Sequence, residues 1–160
     1  MLTYRTNIDM RLVIIMILVF YGQYLLAQQA ISMNGHKGVL FADTVKLDFS
    51  IDSAARRFTP SESDAILADE IIFESKGVFE KAWGKSFNKE VKKSCRQFVG
   101  YHDLKGDKHV IVLLLNMSNP LAKQYFKEWL SKPIVGFGDF YEKNLKTLNV
   151  NLSQRQAVIY

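Results

Sequence analysis

Residues 110–115 read VIVLLL, six apolar residues in succession with no polar side chain on either face of an extended chain. Such a run is typical of a strand in the centre of a sheet that is covered on both sides, or of one whose second face meets a partner. Residues 97–102 precede it with strand-forming residues, and residues 103–107 (DLKGD) contain the glycine expected of a turn. The sequence therefore predicts a β-hairpin whose second strand is central.

Residues 59–62 (TPSE) predict the start of a helix. Thr59 would be the N-cap, followed by a proline at the first helical position and a glutamate at the third, which together form a capping box. The apolar pattern that follows predicts one long helix from residue 60 to about residue 75 or 76. Gly77 would lie just beyond its end, where glycine commonly stops a helix.

The rest of the chain predicts shorter elements. A second helix over residues 78–93 is weaker, because Gly84 lies in its interior and a glycine there costs about 1 kcal/mol. Alternating apolar and polar residues predict further strands over residues 45–49, 148–152 and 157–160. The predicted fold class is therefore α+β, with one long helix packed on a curved antiparallel sheet of four to five strands.

The N-terminal residues 1–27 predict a secretory signal peptide. Residues 12–27 form an uncharged, apolar run of 16 residues that follows a basic residue and ends at Ala27, where cleavage is expected. The alternative interpretation is an uncleaved membrane anchor. A membrane-spanning helix needs ~20 apolar residues, and this run is shorter, which favours the signal peptide. Translation from Met10 is a further hypothesis, because it would make a compact signal peptide.

The chain that would remain after cleavage divides into two regions. Residues 28–38 are polar and contain glycine, which predicts a flexible lead-in, and residues 39–160 would form a single α+β domain. The localisation would be secreted or periplasmic, with membrane contact only through the signal peptide during export and no nucleic acid as a partner. Cys95 is the only cysteine, so the domain cannot form an internal disulfide.

Two stretches of the chain carry a resemblance to known proteins. They are R-F-T-P-x-x-x-D at residues 57–64 and C-R-Q-F-V-G-Y-H at residues 95–102, followed by a K-G-D-K turn and an apolar strand. Over residues 45–152 this order is similar to that in small secreted bacterial proteins of unknown function, and the architecture resembles a cystatin-like or NTF2-like α+β roll. The resemblance implies a fold without known chemistry and brings no catalytic residue to this chain.

A thiol nucleophile is the first candidate site. Cys95 with His102 or His109 would supply a nucleophile and its base. Cys95 and His102 are seven residues apart, so on one strand they would face opposite sides. Six intervening residues at ~3.3 Å each would separate the thiol from His109 by about 20 Å along the strands, which is beyond the reach of a hydrogen bond. The sequence therefore predicts no catalytic residue, and we interpret Cys95 as a partly buried structural thiol.

The two histidines could instead hold a metal ion. If residues 105–106 form a two-residue turn, His102 and His109 lie opposite each other and, with two nearby aspartates, could bind Zn²⁺. If Gly106 is a bulge residue, His102 faces Lys108 and the pair is lost. The alternative is a polar hairpin tip without a metal, and no cofactor is expected.

A run of basic residues after the long helix is the third candidate. Residues 76–96 include seven basic residues and only two acidic ones. Because a helix aligns residues spaced by four, the run predicts a surface for an anionic polymer, lipid headgroups or an acidic protein. Its residues are Lys81, Lys85, Lys89, Lys92, Lys93 and Arg96. The alternative is an ordinary solvated face.

The function favoured by these patterns is a non-enzymatic binding or interaction module of the periplasm or cell envelope. Its partner would be a protein or an anionic envelope component, and the VIVLLL run is also consistent with a homodimer face. The alternative is an NTF2-like ligand-binding protein or enzyme with a pocket between helix and sheet. A filled, apolar helix–sheet interface would favour the first function, and a cavity lined by polar residues would favour the second.

Overall fold

The structure is a computed structural model that describes residues 28–51, 55–85 and 87–160, and its central element is one seven-stranded sheet. The strands are β1 (Gln28–Met33), β2 (His36–Phe41), β3 (Arg56–Phe58), β4 (Cys95–His102), β5 (Lys108–Leu115), β6 (Leu145–Asn151) and β7 (Gln156–Ile159). The helices within these ranges are α1 (Glu62–Glu74), α2 (Lys76–Trp83), α3 (Phe87–Val91), α4 (Ala122–Tyr125) and α5 (Asp139–Asn144). The predicted signal peptide lies outside the described residues.

The sheet is mixed, which corrects the predicted fold class. Its strands lie in the order β1-β2-β4-β5-β6-β7, and β3 pairs with β4. β2 runs parallel to residues 96–99 of β4, and β3 runs antiparallel to residues 100–102. The predicted long helix on an antiparallel sheet of four to five strands is wrong, because α1 has only 13 residues and seven strands take part. The parallel pair has no local sequence signal, since a long connection must separate its strands.

β5 is the central strand that the apolar run predicts. It lies between β4 and β6, and all six residues 110–115 are buried. The even-numbered residues of this apolar run belong to the core beneath α1, whereas Ile111 and Leu115 contribute to two other apolar clusters. Both faces of β5 are therefore covered by its own chain.

The N-terminus of α1 lies two residues beyond the predicted cap. The N-cap is Ser61, whose Oγ accepts a hydrogen bond from the backbone N–H of Asp64, while the Asp64 carboxylate accepts one from the backbone N–H of Ser61. Thr59 is not the cap, because its Oγ1 accepts the backbone N–H of Asp43. The sequence contains two overlapping capping signals, and tertiary contacts favour the second, since Asp64 also binds Lys108 of β5.

The helical region after α1 consists of two short helices. Gly77 lies inside α2 and does not end a helix, which corrects its predicted role. Gly84 ends α2 with a φ of 89°, so the single helix predicted over residues 78–93 is wrong. The predicted apolar side chains nevertheless enter the core, because Phe79 and Phe87 are both buried.

An irregular segment covers part of the other face of the sheet. Residues 45–49 do not form the predicted strand, although Val45 and Leu47 contact the apolar cluster there. The alternating pattern therefore reflects side chains buried on one side of this segment, whose backbone pairs with no neighbouring strand among the described residues. Arg57 holds the start of this segment in place, because Nη1 donates to the Val45 carbonyl at 3.5 Å and Nη2 donates to the nearby Ala42 carbonyl at 3.1 Å.

Residues 116–138 cover the rest of this face, mainly as turns. The buried side chain of Gln97 anchors them to β4. Its Nε2 donates to the carbonyls of Trp129 and Lys132 at 2.5 and 2.9 Å, and its Oε1 accepts the N–H of Ile134 at 2.8 Å. One buried amide thus satisfies three backbone groups of the covering segment.

The predicted flexible lead-in is a β-hairpin. Residues 28–38 form β1 and the start of β2, joined by a turn with φ angles of 48° at Asn34 and 78° at Gly35. Asn-Gly favours such a turn because both central residues need a positive φ. Ile31 and Met33 are buried on the inner side of the hairpin, so it belongs to the domain.

The two predicted C-terminal strands are confirmed, with bounds shifted by a few residues. They correspond to β6 and β7, which pair antiparallel with Val150 opposite Ala157. The backbone N–H of Tyr160 extends this pairing to the carbonyl of Thr147 at 3.0 Å. These strands place the polar side chains of β6 beside the turn between β4 and β5.

Candidate functional site

The predicted basic surface is an exposed stretch between α1 and β4. We call residues 76–93 the basic segment, which contains six lysines and two glutamates. Five of the six predicted interaction residues are exposed lysines: Lys81, Lys85, Lys89, Lys92 and Lys93. The salt bridges formed among the described residues include none of them. Their ammonium groups are therefore accessible to a partner.

The basic segment carries a net charge equal to that of residues 28–160 as a whole. Residues 28–160 contain 19 basic and 15 acidic residues, which gives a net charge of +4 at neutral pH. Six lysines and two glutamates give the basic segment the same net charge of +4. The remainder of residues 28–160 is therefore neutral overall.

Arg96 does not belong to this surface, which corrects the sixth predicted residue. Its side chain is fully buried, with Nε donating to Asp69 Oδ1 at 2.5 Å and Nη1 donating to the Ser94 carbonyl at 2.9 Å. Strand alternation explains the burial, because Arg96 points to the same side of β4 as Phe98, which lies in the core beneath α1. Burial lowers the pKa of Arg96, and the charge of Asp69 opposes this shift.

The break at Gly84 places the lysines on more than one element instead of the predicted single helical face. Lys81 lies on α2, whereas Lys89 lies on α3. Trp83 lies between them, and Lys146 of β6 places its Nζ 5.6 Å from the centre of the indole ring. The positive surface therefore continues from the basic segment onto β6.

The turn between β4 and β5 separates the two histidines predicted as a metal pair. His102 lies opposite Lys108 in the ladder, and His109 lies opposite Tyr101. Five residues connect the strands, with Gly106 at a φ of 86°, so the two-residue turn is wrong. His102 and His109 therefore point to opposite faces of the sheet, and the His102 ring packs against Phe58, with the two ring centres 4.9 Å apart.

The same turn brings His109 next to two carboxylates. The ligand atoms of Asp103, Asp107 and His109 lie within 4.8 Å of one another, and Asp103 Oδ2 is 3.4 Å from His109 Nε2. Asp103 Oδ1 accepts hydrogen bonds from the backbone N–H groups of Lys105 and Asp107, both at 2.9 Å. Desolvation alone would raise the pKa of Asp103, but these hydrogen bonds together with His109 lower it.

Asn149 is a residue of this cluster that the sequence does not indicate. Its Oδ1 lies 3.2 Å from His109 Nδ1, and its Nδ2 donates to Tyr101 Oη at 2.8 Å. The alternation of β6 predicts which side Asn149 faces, but the registers of β4, β5 and β6 decide what it contacts. No local pattern specifies three registers at once.

Cys95 lies at the far end of β4 from the turn, as predicted. It is opposite Leu115 in the ladder and is half-buried. Burial raises the pKa of the Cys95 thiol, and the charges of Lys37 and Arg96 oppose the shift. The thiol is therefore protonated at neutral pH and lies away from both histidines, which argues against nucleophilic chemistry.

The interface between α1 and the sheet is filled by apolar side chains. The α1 residues at this interface have no exposed surface: Ala65, Ala68, Ile71 and Ile72. A groove of about 210 Å³ lies instead on the other face of the sheet, lined by residues that include Leu113 and Phe137. The described residues thus place apolar packing where an NTF2-like pocket would lie.

None of the helices in the described ranges is both long enough and apolar enough to cross a membrane. Comparisons with known proteins found no matching family model, curated protein or solved structure. The resemblance to small secreted bacterial proteins therefore stays a prediction.

Proposed function

We propose that this chain is an exported, non-enzymatic binding module whose basic segment attaches it to the anionic headgroups of an envelope membrane. The observation that carries the proposal is that the net charge of residues 28–160 equals that of the basic segment, whose five predicted lysines are exposed. A negatively charged surface attracts the basic segment and so orients the molecule before contact.

The chemistry of the segment supports a diffuse anionic surface as the partner. Lysine presents a flexible, hydrated point charge, which suits many similar phosphates better than one shaped ligand. Each basic residue close to an anionic bilayer contributes about 1 kcal/mol, so five lysines provide reversible attachment. Trp83 and the exposed Val78 lie in the same segment, and tryptophan favours the interface between membrane and water.

The non-enzymatic part of the proposal has separate support. The thiol and the histidines lie at opposite ends of β4 and β5, and the helix–sheet interface is filled. β5 is covered on both faces by its own chain, so the apolar run no longer argues for a homodimer. An interaction surface is therefore a better account of the molecule than a pocket.

Export is the remaining part of the proposal. Cleavage after Ala27 would make Gln28, the first residue of β1, the new N-terminus. Every described strand and helix would be retained in the processed protein. A secreted or periplasmic location would also expose the basic segment to envelope lipids.

Sedimentation with lipid vesicles tests the membrane attachment. The triple variant Lys81→Glu, Lys85→Glu and Lys89→Glu should lose most of its binding to vesicles that contain phosphatidylglycerol. At about 1 kcal/mol for each lysine, removing three charges should weaken binding about 100-fold, before the added repulsion is counted. Binding of the original chain should also decrease as the salt concentration rises.

The matched control is the triple variant Lys46→Glu, Lys123→Glu and Lys127→Glu, which changes the net charge equally at exposed lysines outside the basic segment. This control should keep most of the vesicle binding. Equal loss in the two triple variants would contradict a specific surface. Binding to soluble polyphosphate but not to vesicles would contradict the membrane and identify a different anionic partner.

A further inference from the structure

We propose that the turn between β4 and β5 is a binding site for a divalent transition-metal ion of the Zn²⁺ class, with His109, Asp103 and Asp107 as its ligands. The proposal is independent of the basic segment. It rests on three observations. They are the orientation of the His109 imidazole, the distance from His109 to the Asp103 carboxylate, and the hydrogen bonds that hold the Asp107 carboxylate.

The imidazole of His109 is held with one nitrogen directed at the carboxylates. Its Nδ1 lies 3.2 Å from Asn149 Oδ1, and the Asn149 amide is fixed by donating to Tyr101 Oη at 2.8 Å. The ring also stacks on Tyr101, with the two ring centres 4.9 Å apart. Nδ1 therefore donates its proton to Asn149, and Nε2 is buried with no hydrogen-bond partner among the residues that the structure describes. This is the usual arrangement of a histidine that binds a metal through Nε2.

The separation of His109 and Asp103 suits two ligands of one ion. In tetrahedral coordination with bonds of ~2.0–2.1 Å, neighbouring ligand atoms are about 3.3 Å apart. Asp103 Oδ2 is 3.4 Å from His109 Nε2, which is already the length of one edge of such a tetrahedron. Two backbone N–H groups hold Asp103 Oδ1, so the carboxylate keeps Oδ2 directed at the imidazole.

Asp107 supplies the third ligand and has its own support. Its Oδ2 accepts hydrogen bonds from Asn151 Nδ2 at 3.2 Å and from Gln154 Nε2 at 2.5 Å. Both donors are neutral amides, and the nearby Lys108 pairs with Asp64 instead. Within the described residues, the negative charge of Asp107 has no ion-pair partner, and a bound cation would neutralise it.

The ligand set determines the class of metal. Oxygen ligands alone would suit Mg²⁺ or Ca²⁺, whereas an imidazole favours Zn²⁺ and neighbouring transition metals. Three protein ligands leave the fourth tetrahedral position for water. A shift of the Asp107 carboxylate toward the other two ligands would complete the site, since all three ligand atoms lie within 4.8 Å.

Isothermal titration calorimetry of the purified protein with Zn²⁺ tests the proposal. We expect saturable binding of one ion, with little heat from Mg²⁺ or Ca²⁺. His109→Ala and Asp103→Asn should each weaken Zn²⁺ binding by more than about 100-fold, and Asn149→Leu should weaken it about 10- to 100-fold by removing support of the imidazole.

The matched control is His36→Ala, because His36 is the first residue of β2 and lies outside both the turn and the ligand set. This variant should keep the affinity of the original chain. Circular dichroism checks that each variant folds, and Asp103→Asn carries the test if His109→Ala does not fold. Absence of saturable Zn²⁺ binding, or equal affinity in the original chain and His109→Ala, would overturn the site and leave His109 as a simple ion-pair partner of Asp103.

Discussion

The two faces of the sheet are covered in different ways. Helices α1, α2 and α3 cover one face, and because their backbone groups are largely bonded within each helix, apolar side chains make most of the contact. Irregular segments cover the other face, and their backbone carbonyls need donors from elsewhere. Arg57 and Gln97 supply those donors from β3 and β4. An irregular cover thus depends on a few polar side chains that a helical cover does not require.

The buried polar residues of the two faces differ accordingly. Beneath the helices, Arg96 pairs with Asp69, while Arg96 Nη2 and Asp69 Oδ2 have no hydrogen-bond partner in the described part of the chain. On the irregular face, both ends of the Gln97 amide bond to backbone. The ion pair is therefore only partly satisfied and links α1 to β4, whereas Gln97 attaches the non-helical residues 129–134 to β4.

The largest effect that separates the two faces should follow from Asp69→Ala. This change leaves the Arg96 guanidinium buried without its ion-pair partner. Breaking a buried pair in this way costs about 3–5 kcal/mol, and urea denaturation would measure the loss. The double variant Asp69→Leu with Arg96→Met should recover most of it. A loss below about 1 kcal/mol for Asp69→Ala would show that the pair does not stabilise the helical face.

An intermediate effect should distinguish two adjacent residues of β5. Leu114 faces the core beneath α1, and Leu113 faces the groove on the irregular side, with both side chains almost fully buried. Each change to alanine should cost about 2–5 kcal/mol, with Leu114→Ala near the upper end, because packed helices cannot move into the cavity as easily as a loop can. Denaturation midpoints would compare the two variants. A larger loss of stability for Leu113→Ala than for Leu114→Ala would contradict the proposed difference between the helical face and the irregular face of the sheet.

The smallest and most local effect should follow from Gln97→Leu. It removes three hydrogen bonds to residues 129–134 and should cost about 1–3 kcal/mol, since water can replace some of the lost partners. Hydrogen exchange followed by mass spectrometry should show faster exchange in this segment and unchanged exchange in α1. Faster exchange throughout the molecule would mean that Gln97 supports the whole fold and not only the segment that it holds on the irregular face.

Local signals in the sequence predicted a substantial part of this fold. The β4–β5 hairpin and the burial of residues 110–115 follow from an apolar run next to a glycine-containing turn. The β1–β2 hairpin also has a local signal, the Asn34-Gly35 pair, but polar residues around it favoured a flexible lead-in. β1 is an edge strand with exposed alternate residues, so its composition resembles that of a linker.

The features that the sequence could not specify depend on residues distant along the chain. The parallel pairing of β2 with β4 has no local pattern. Arg96 follows a run of lysines, and its charge favours the same exposed surface, whereas its spacing of two from Phe98 indicates the core side of β4. The contact of His109 with Asp103 depends on a turn of five residues, because a shorter turn would have changed every partner across the hairpin.

The shared edge of β4 also has a consequence for the entropy of closing the chain. Pairing β2 with β4 directly must close a loop of 53 residues, whereas β3 lies only 36 residues before β4. Once β3 is paired, only 14 residues separate β2 from an ordered strand. Because closure entropy grows with the logarithm of loop length, this order of pairing lowers the cost of adding β2 by about 1 kcal/mol. The three-residue strand β3 therefore divides one long loop closure, between β2 and β4, into two shorter loop closures.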